Sequence, residues 1–183
     1  MELDDCIKGR RSVRAYAAAP VPKATIEAVL EAGVWAPSGM NRQPWKFVVI
    51  ENPELIKYVS DETKKILREV MPAMAKQFET EKDVICYEAP VLILICTQTD
   101  KRWGEVNTLD SVLAAQNMFL KAYEMRLGTC YMGFVSYLNN KPEVLQKMGV
   151  PEGYELQVPL IIGHPKTKQG AGKRNKPDVK WIK

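Results

Sequence analysis

The stretch 109–134, LDSVLAAQNMFLKAYEMRLGTCYMGF, changes its hydrophobic rhythm once, close to residue 128. Before that point Leu109, Val112, Leu113, Gln116, Phe119, Leu120, Tyr123 and Leu127 recur at helical spacing, a wide apolar stripe along a helix over 108–127. Gly128 suits the C-terminal stop of that helix. After it, TCYMGFV (129–135) is the short apolar run of a strand. A long helix delivered straight into a strand calls for a sheet with helices on its faces, and the rest of the chain supplies the parts.

APVLILICTQT (89–99) is the clearest buried strand; WKFVVI (45–50), bounded by Pro44 and ENP, and ELQVPLIIG (155–163) are two more. A first helix is predicted over 2–9, with Leu3, Cys6 and Ile7 on one face. A second starts at Pro22, carries Ile26, Val29, Leu30 and Gly33 at helical spacing, and ends at Pro37. Asn52 and Pro53 read as the cap and first residue of a third, through Leu55, Ile56 and Val59. KPEVLQKMG (141–149) is a short one. Residues 61–83 are helical in propensity but polar and interrupted by Pro72, which fits either a mobile cover or a peripheral helix pair. Together these elements predict a single α+β domain over 1–183, with a central mixed sheet flanked by helices.

Composition narrows the function. The 183 residues are 46% hydrophobic and 26% charged, an ordinary globular balance. MELDDCIKGR is charged where a secretory signal would be apolar, and the longest apolar run, APVLILIC (89–96), is far short of the ~20 residues that span a bilayer. Cys6, Cys86, Cys96 and Cys130 form no CxxC pair, so a reduced, cytoplasmic protein is the economical reading. The net charge of +4 is uneven: 164–183 hold seven Lys/Arg against one Asp, leaving the remainder near −2. That pattern argues against a nucleic-acid surface and for one or two local anion sites. The same tail has little periodicity and cannot build its own core, so its Trp181-Ile182 pair must dock on something larger. Burying that pair is worth on the order of 3–5 kcal/mol, less the entropy of ordering the arm.

A single His164 removes most His-dependent designs, and no His/Cys metal cluster can be assembled. Neither GxGxxG nor GxxxxGK[ST] occurs, so phosphate recognition must come from side chains. RRSVRAY (10–16) packs three arginines into five positions. Arg10 and Arg11 can offset a helix C-terminus, but Arg14 lies beyond the helix, where an extended chain projects Arg10, Ser12 and Arg14 together. Guanidinium forks match phosphate oxygens, and a serine hydroxyl adds a donor. APSGMNRQPW (36–45) is either a stiff connector or a source of amide donors and acceptors at Asn41 and Gln43. In GTCYMGF (128–134), Gly133 inside a strand marks either a bulge or the close approach of a flat ligand to the backbone.

In this order, RRSVRAY, APSGMNRQPW, APVLILI, LDSVLAAQNMFLKAYEMRLGTCYMGF, VPEGYELQVPLIIGHPK and KRNKP resemble the FMN-dependent nitroreductase family over nearly the whole chain. The resemblance implies an intertwined homodimer with two FMN sites at its interface and a C-terminal arm, 166–183, packed on the partner subunit. It implies that Arg10, Arg11, Ser12 and Arg14 contact the FMN phosphate, ribityl and pyrimidine regions, and that Pro37, Ser38, Gly39, Asn41 and Gln43 come from the other chain. Tyr131, Met132 and Gly133 would face the flavin N5, and Lys173 and Arg174 would close over the phosphate. No catalytic side chain or metal is implied, since the chemistry resides on N5. Reduced nicotinamide, NADH or NADPH, would deliver hydride, and a nitroaromatic, quinone or similar small acceptor would collect the electrons in a second half-reaction. Relatives with other tasks, reductive dehalogenation or flavin destruction, and a redox-sensing module without turnover are the alternatives. The sequence departs from many relatives at Tyr131, where they carry Trp, and in 61–83, which lacks an Asn that touches flavin.

Overall fold

A computed structural model describes residues 1–100, 102–167 and 169–183. Its centre is Val91–Gln98 (β2), whose side chains alternate between two cores because both faces of the sheet are covered. Leu92, Leu94 and Cys96 enter one, Val91, Ile93 and Ile95 the other. Trp45–Ile50 (β1) pairs with one edge of β2, and Tyr154–Gly163 (β4) pairs with the other. Gly128–Tyr131 (β3) extends the sheet beyond β4, giving the order β1-β2-β4-β3.

These pairings are all antiparallel, which corrects the expectation of a mixed sheet. Among the described residues the parallel component is one bridge, Ser12 with Thr129, where the N-terminal segment lies against β3. A single bridge follows because Tyr16, a few residues on, already pairs antiparallel with Pro165.

Lys23–Val34 (α2) and Gly104–Glu124 (α5) cover one face. Pro53–Val70 (α3), a 3₁₀ segment Gly133–Asn140 and Pro142–Lys147 (α6) cover the other. Leu3–Gly9 (α1) packs on the C-terminal half of α5, and Ala75–Phe78 (α4) is a short turn beside α3. Asn52 caps α3 as its sequence predicts, its Oδ1 accepting from Glu54 N (2.9 Å) and Leu55 N (3.1 Å). Residues 61–83 form a packed helical layer: α3 continues to Val70 and buries Thr63, Lys64 and Leu67. Lys64 pairs with Asp61 at 2.7 Å and donates to Thr80 O at 3.0 Å, tying the loop after α4 back to α3.

Three local expectations change. The first part of the apolar stripe is not a buried face: Leu109, Val112 and Leu113 are 64, 52 and 44% exposed, while Asn107, Asp110, Ser111, Ala114, Ala115 and Met118 are buried; farther along, Phe119 packs on the core and Leu127 is buried. Small and polar residues face the sheet because α2 packs close, and the larger side chains are left outside. The helix ends at Glu124 with Met125 as its cap, and Arg126 is held in the left-handed region (φ 64°) with Leu127 N on Ala122 O at 2.8 Å, so the stop falls ahead of Gly128. Gly128 instead makes room, since a Cβ there would stand 2.6 Å from Val13 Cγ2. The strand expected over 129–135 stops at Tyr131. Met132 N still donates to Pro159 O (2.9 Å), but Pro159 has no N–H to return, and the chain coils into the 3₁₀ segment.

Candidate functional site

The RRSVRAY segment leaves α1 and runs along β3, fixed by Val13 N on Thr129 O (2.9 Å), Ala17 N on His164 O (2.8 Å) and Lys166 N on Ala15 O (3.0 Å). Val13 and Tyr16 anchor it in the core, the Tyr16 hydroxyl donating to Val13 O at 2.8 Å. Arg10, Ser12 and Arg14 are left toward solvent and share a neighbour on β3. Burial pushes the Cys130 thiol up, and Arg14, Ser12 and Arg10 pull against it. Cys86 and Cys96 are also raised by burial, Cys96 to about 12, so neither is a ready thiolate.

Arg10 lies 5.8 Å from the Phe119 ring, and its pKa is lowered first by burial, then by Arg11 and, more weakly, Arg174. Three guanidinium groups therefore converge here, and among the described residues none of them is in an ion pair. Arg11 is partly engaged: Nη1 donates to Lys8 O (2.8 Å) and Arg10 O (2.6 Å), and Nε to Gly170 O (3.0 Å). It closes the end of α1 and holds the root of the C-terminal arm. Lys173 and Arg174 lie on that arm, exposed, with Arg174 turned on its own backbone at Gly172 O and Lys173 O.

Arg14, from the same segment, lines a cavity of ≈460 Å³ together with Val84, Ile85, Tyr87, Tyr131, Met132, Gly133, Phe134 and Tyr137. Met132 is buried and Tyr131 exposed. Arg10, Ser12, Arg14, Tyr131, Met132 and Gly133 thus come together in one chain.

The connector 37–43 does not join them. It sits against the N-terminal half of α5, where Gly39 N donates to both carboxylate oxygens of Asp110 (3.1 and 3.2 Å). Met40 and Asn41 (φ 54°) and Gln43 (φ 48°) are all left-handed. Ser38 Oγ accepts from Gln43 N (3.0 Å), and Gln43 Nε2 donates to Asn41 Oδ1 (3.2 Å). Arg42 stacks on Trp103 at 4.4 Å and donates to Asn107 Oδ1 at 3.0 Å. Pro37, Asn41 and Gln43 remain exposed. The arginine cluster meets α5 near Phe119 and Tyr123, about 14 to 20 Å farther along a helix that rises ~1.5 Å per residue.

Asp110 escaped the sequence reading, although a lone carboxylate inside an apolar helical run was a usable signal. Tyr87 did too, because nothing in ICYEAP announces a left-handed residue.

Residues 7–164 match the model of the Nitroreductase family, and the chain belongs to that family. It is 28% identical to the iodotyrosine deiodinase of Thermotoga neapolitana, over 98% of this chain and 97% of that protein. To the NADH dehydrogenase of Thermus thermophilus it is 27% identical, covering 85% of this chain and 83% of the other. The crystal structure of a nitroreductase with bound FMN from Bacteroides fragilis superposes with a TM-score of 0.84 at 27% identity, covering 100% of this chain and 98% of that one.

Proposed function

We propose that this chain is an FMN-dependent oxidoreductase that takes reducing equivalents from NADH or NADPH and passes them to a nitroaromatic, quinone or similar small acceptor, in separate half-reactions at one site. The observation that carries the reading is the arginine segment 10–14, whose guanidinium groups are in no ion pair among the described residues and whose Arg14 lines a ring-walled cavity. Cationic forks at one end, and a flat wall at Tyr131–Gly133 at the other, fit a monophosphate joined to a planar heterocycle. FMN, when bound, supplies hydride acceptance and release at N5. The protein binds and orients. Arg10, Arg11, Lys173 and Arg174 hold the phosphate, Ser12 and Arg14 serve the ribityl and pyrimidine regions, and Met132–Gly133 presents backbone to the ring.

The second half of the site comes from a second copy of the chain. Ser38, Gly39, Asn41 and Gln43 sit at the far end of α5 from Arg10 of the same chain, a separation that supports assigning them to the flavin held by the partner. A homodimer with two shared sites brings the sets together. Leu109, Val112 and Leu113 on α5, Leu3 and Ile7 on α1, and Trp181-Ile182 at 82 and 88% exposed are the surface it would cover. The four cysteines are all free and buried, in keeping with a reducing compartment such as the cytoplasm. Among the described residues no helix is long and apolar enough to cross a membrane.

The test is direct. The purified protein is expected to be yellow, and heat release followed by chromatography to yield FMN. A colourless protein that takes up no added FMN would sink the reading. Stopped-flow reduction by NADH and NADPH then tests turnover, and a panel of nitroaromatic, quinone and halophenol acceptors separates reduction from the dehalogenation its deiodinase relatives bring forward. Deleting residues 166–183 is expected to lower dimer stability and FMN affinity together, read by light scattering and flavin titration.

A further inference from the structure

Tyr87 and Glu88 both have φ 54°, consecutive non-glycine residues in a region that costs an L-residue roughly 1–2 kcal/mol each. The loop is held there from both sides. Asp83 Oδ1 accepts from Cys86 N (2.7 Å), Ile85 N (3.1 Å) and Ser60 Oγ (2.6 Å), and its Oδ2 accepts from Glu88 N (3.1 Å). Ile85, Cys86 and Ala89 are buried, and Ala89 N donates to Cys86 O at 3.0 Å. Asparagine or glycine would meet the same backbone requirement at little cost. The ring of Tyr87 is kept at the backbone's expense, and what it reaches is the cavity shared with Tyr131, Phe134, Tyr137 and Arg14.

We propose that Tyr87, set by the Asp83 cage, is a specificity-determining residue that selects planar aromatic acceptors, uncharged or anionic, at this cavity; the inference rests on the flavin oxidoreductase reading above. With the Tyr131–Gly133 wall taken by the flavin, the rings of Tyr87, Phe134 and Tyr137 are left to give a flat guest stacking and edge contacts. Among the described residues Arg14 is the one charged side chain on the wall, and no carboxylate among them lines it to receive an ammonium group. Asp83 is a positioning residue, acting on the guest only through the loop it fixes.

The experiment uses FMN-loaded protein reduced with dithionite, freed of excess reductant and reoxidised in stopped flow by 4-nitrobenzoate or by ferricyanide, a small non-aromatic acceptor. Tyr87→Asn keeps a left-handed backbone and is expected to weaken the apparent affinity for 4-nitrobenzoate about tenfold. Its flavin content and its ferricyanide kinetics are expected to match wild type. Tyr87→Phe, which keeps the ring, is expected to stay within about threefold of wild type. A Tyr87→Asn protein with wild-type affinity for 4-nitrobenzoate, or with equal losses toward both acceptors, overturns the proposal while leaving the flavin reading intact. So does a wild-type holoprotein that reduces ferricyanide but not 4-nitrobenzoate. A wild-type chain that takes up no FMN overturns the flavin reading, and this inference with it.

Discussion

Among the described residues, two loops each hold more than one non-glycine residue left-handed, and each of these is pinned by one aspartate, but the two aspartates sit at different distances in the chain. The 87–88 turn is held by Asp83, two to five residues from the N–H groups it accepts. The 38–43 connector is held by Asp110, 71 residues away on α5. The first loop is therefore shaped mainly by its own sequence, the second by the docking of a helix. In the reading proposed here they also serve different ligands: 87–88 meets the acceptor, and 38–43 reaches a cofactor bound to the neighbouring chain. A local cage can be lost without disturbing the sheet, whereas a long-range clamp transmits any shift of α5 to the connector.

The largest effect is expected from Asp83→Ala, which strips an acceptor from three backbone N–H groups and the Ser60 hydroxyl. Urea unfolding is expected to show a loss of about 3 kcal/mol. Affinity for an aromatic acceptor falls with it, and FMN affinity does not. An FMN loss as large as the acceptor loss would erase the distinction between the loops.

Asp110→Ala comes next. It leaves the Gly39 N–H without its carboxylate, at about 2 kcal/mol in stability, and here it is FMN affinity, measured by titration, that is expected to drop about tenfold. Asp110→Asn retains one acceptor oxygen and is expected to lose roughly half as much in stability. Ser111→Ala on the same helix, whose Oγ donates to Asn107 O at 2.8 Å, is the control: it costs some stability and leaves FMN affinity unchanged.

The arginines divide in the same manner. Arg10→Ala is expected to weaken FMN binding by about 2 kcal/mol, since among the described residues its guanidinium is in no ion pair and lies only against the Phe119 ring. Arg11→Ala, whose guanidinium is already spent on Lys8, Arg10 and Gly170 carbonyls, is expected to lose less FMN affinity and to loosen the arm, read as faster proteolysis beyond residue 166. Equal FMN losses for the two would give Arg11 as large a share in holding the phosphate as Arg10.

The smallest effect is a gain. Met40 is 84% exposed and left-handed, so Met40→Gly is expected to stabilise by roughly 0.5 kcal/mol, backbone strain relieved less the added freedom of the unfolded chain. A Met40→Gly protein that is less stable would mean the methionine side chain has contacts of its own, as it would in a dimer.

Much of this architecture was legible before any coordinates. The buried strand β2, the Asn52 cap, the extended arginine segment after α1 and the aperiodic arm all follow from patterns within one turn or one strand, where the responsible features are near in sequence. The direction of pairing, the end of β3 and the buried face of α5 were not. Strand polarity depends on how distant segments meet, β3 stops because Pro159 on another strand lacks an N–H, and α5 turns its small side chains inward because α2 packs against them.

By itself, then, the sequence determined the α+β class, the positions of most elements and the family, because periodicity, caps and cationic clusters are local properties. Only the tertiary structure decided that the connector and the arginines of one chain stand at opposite ends of α5, that Asp110 clamps Gly39, and that Tyr87 is forced onto the wall of a cavity. Each of those depends on hydrogen bonds and close packing among segments that the fold must first bring together, and such contacts leave no repeat in the sequence from which to read them.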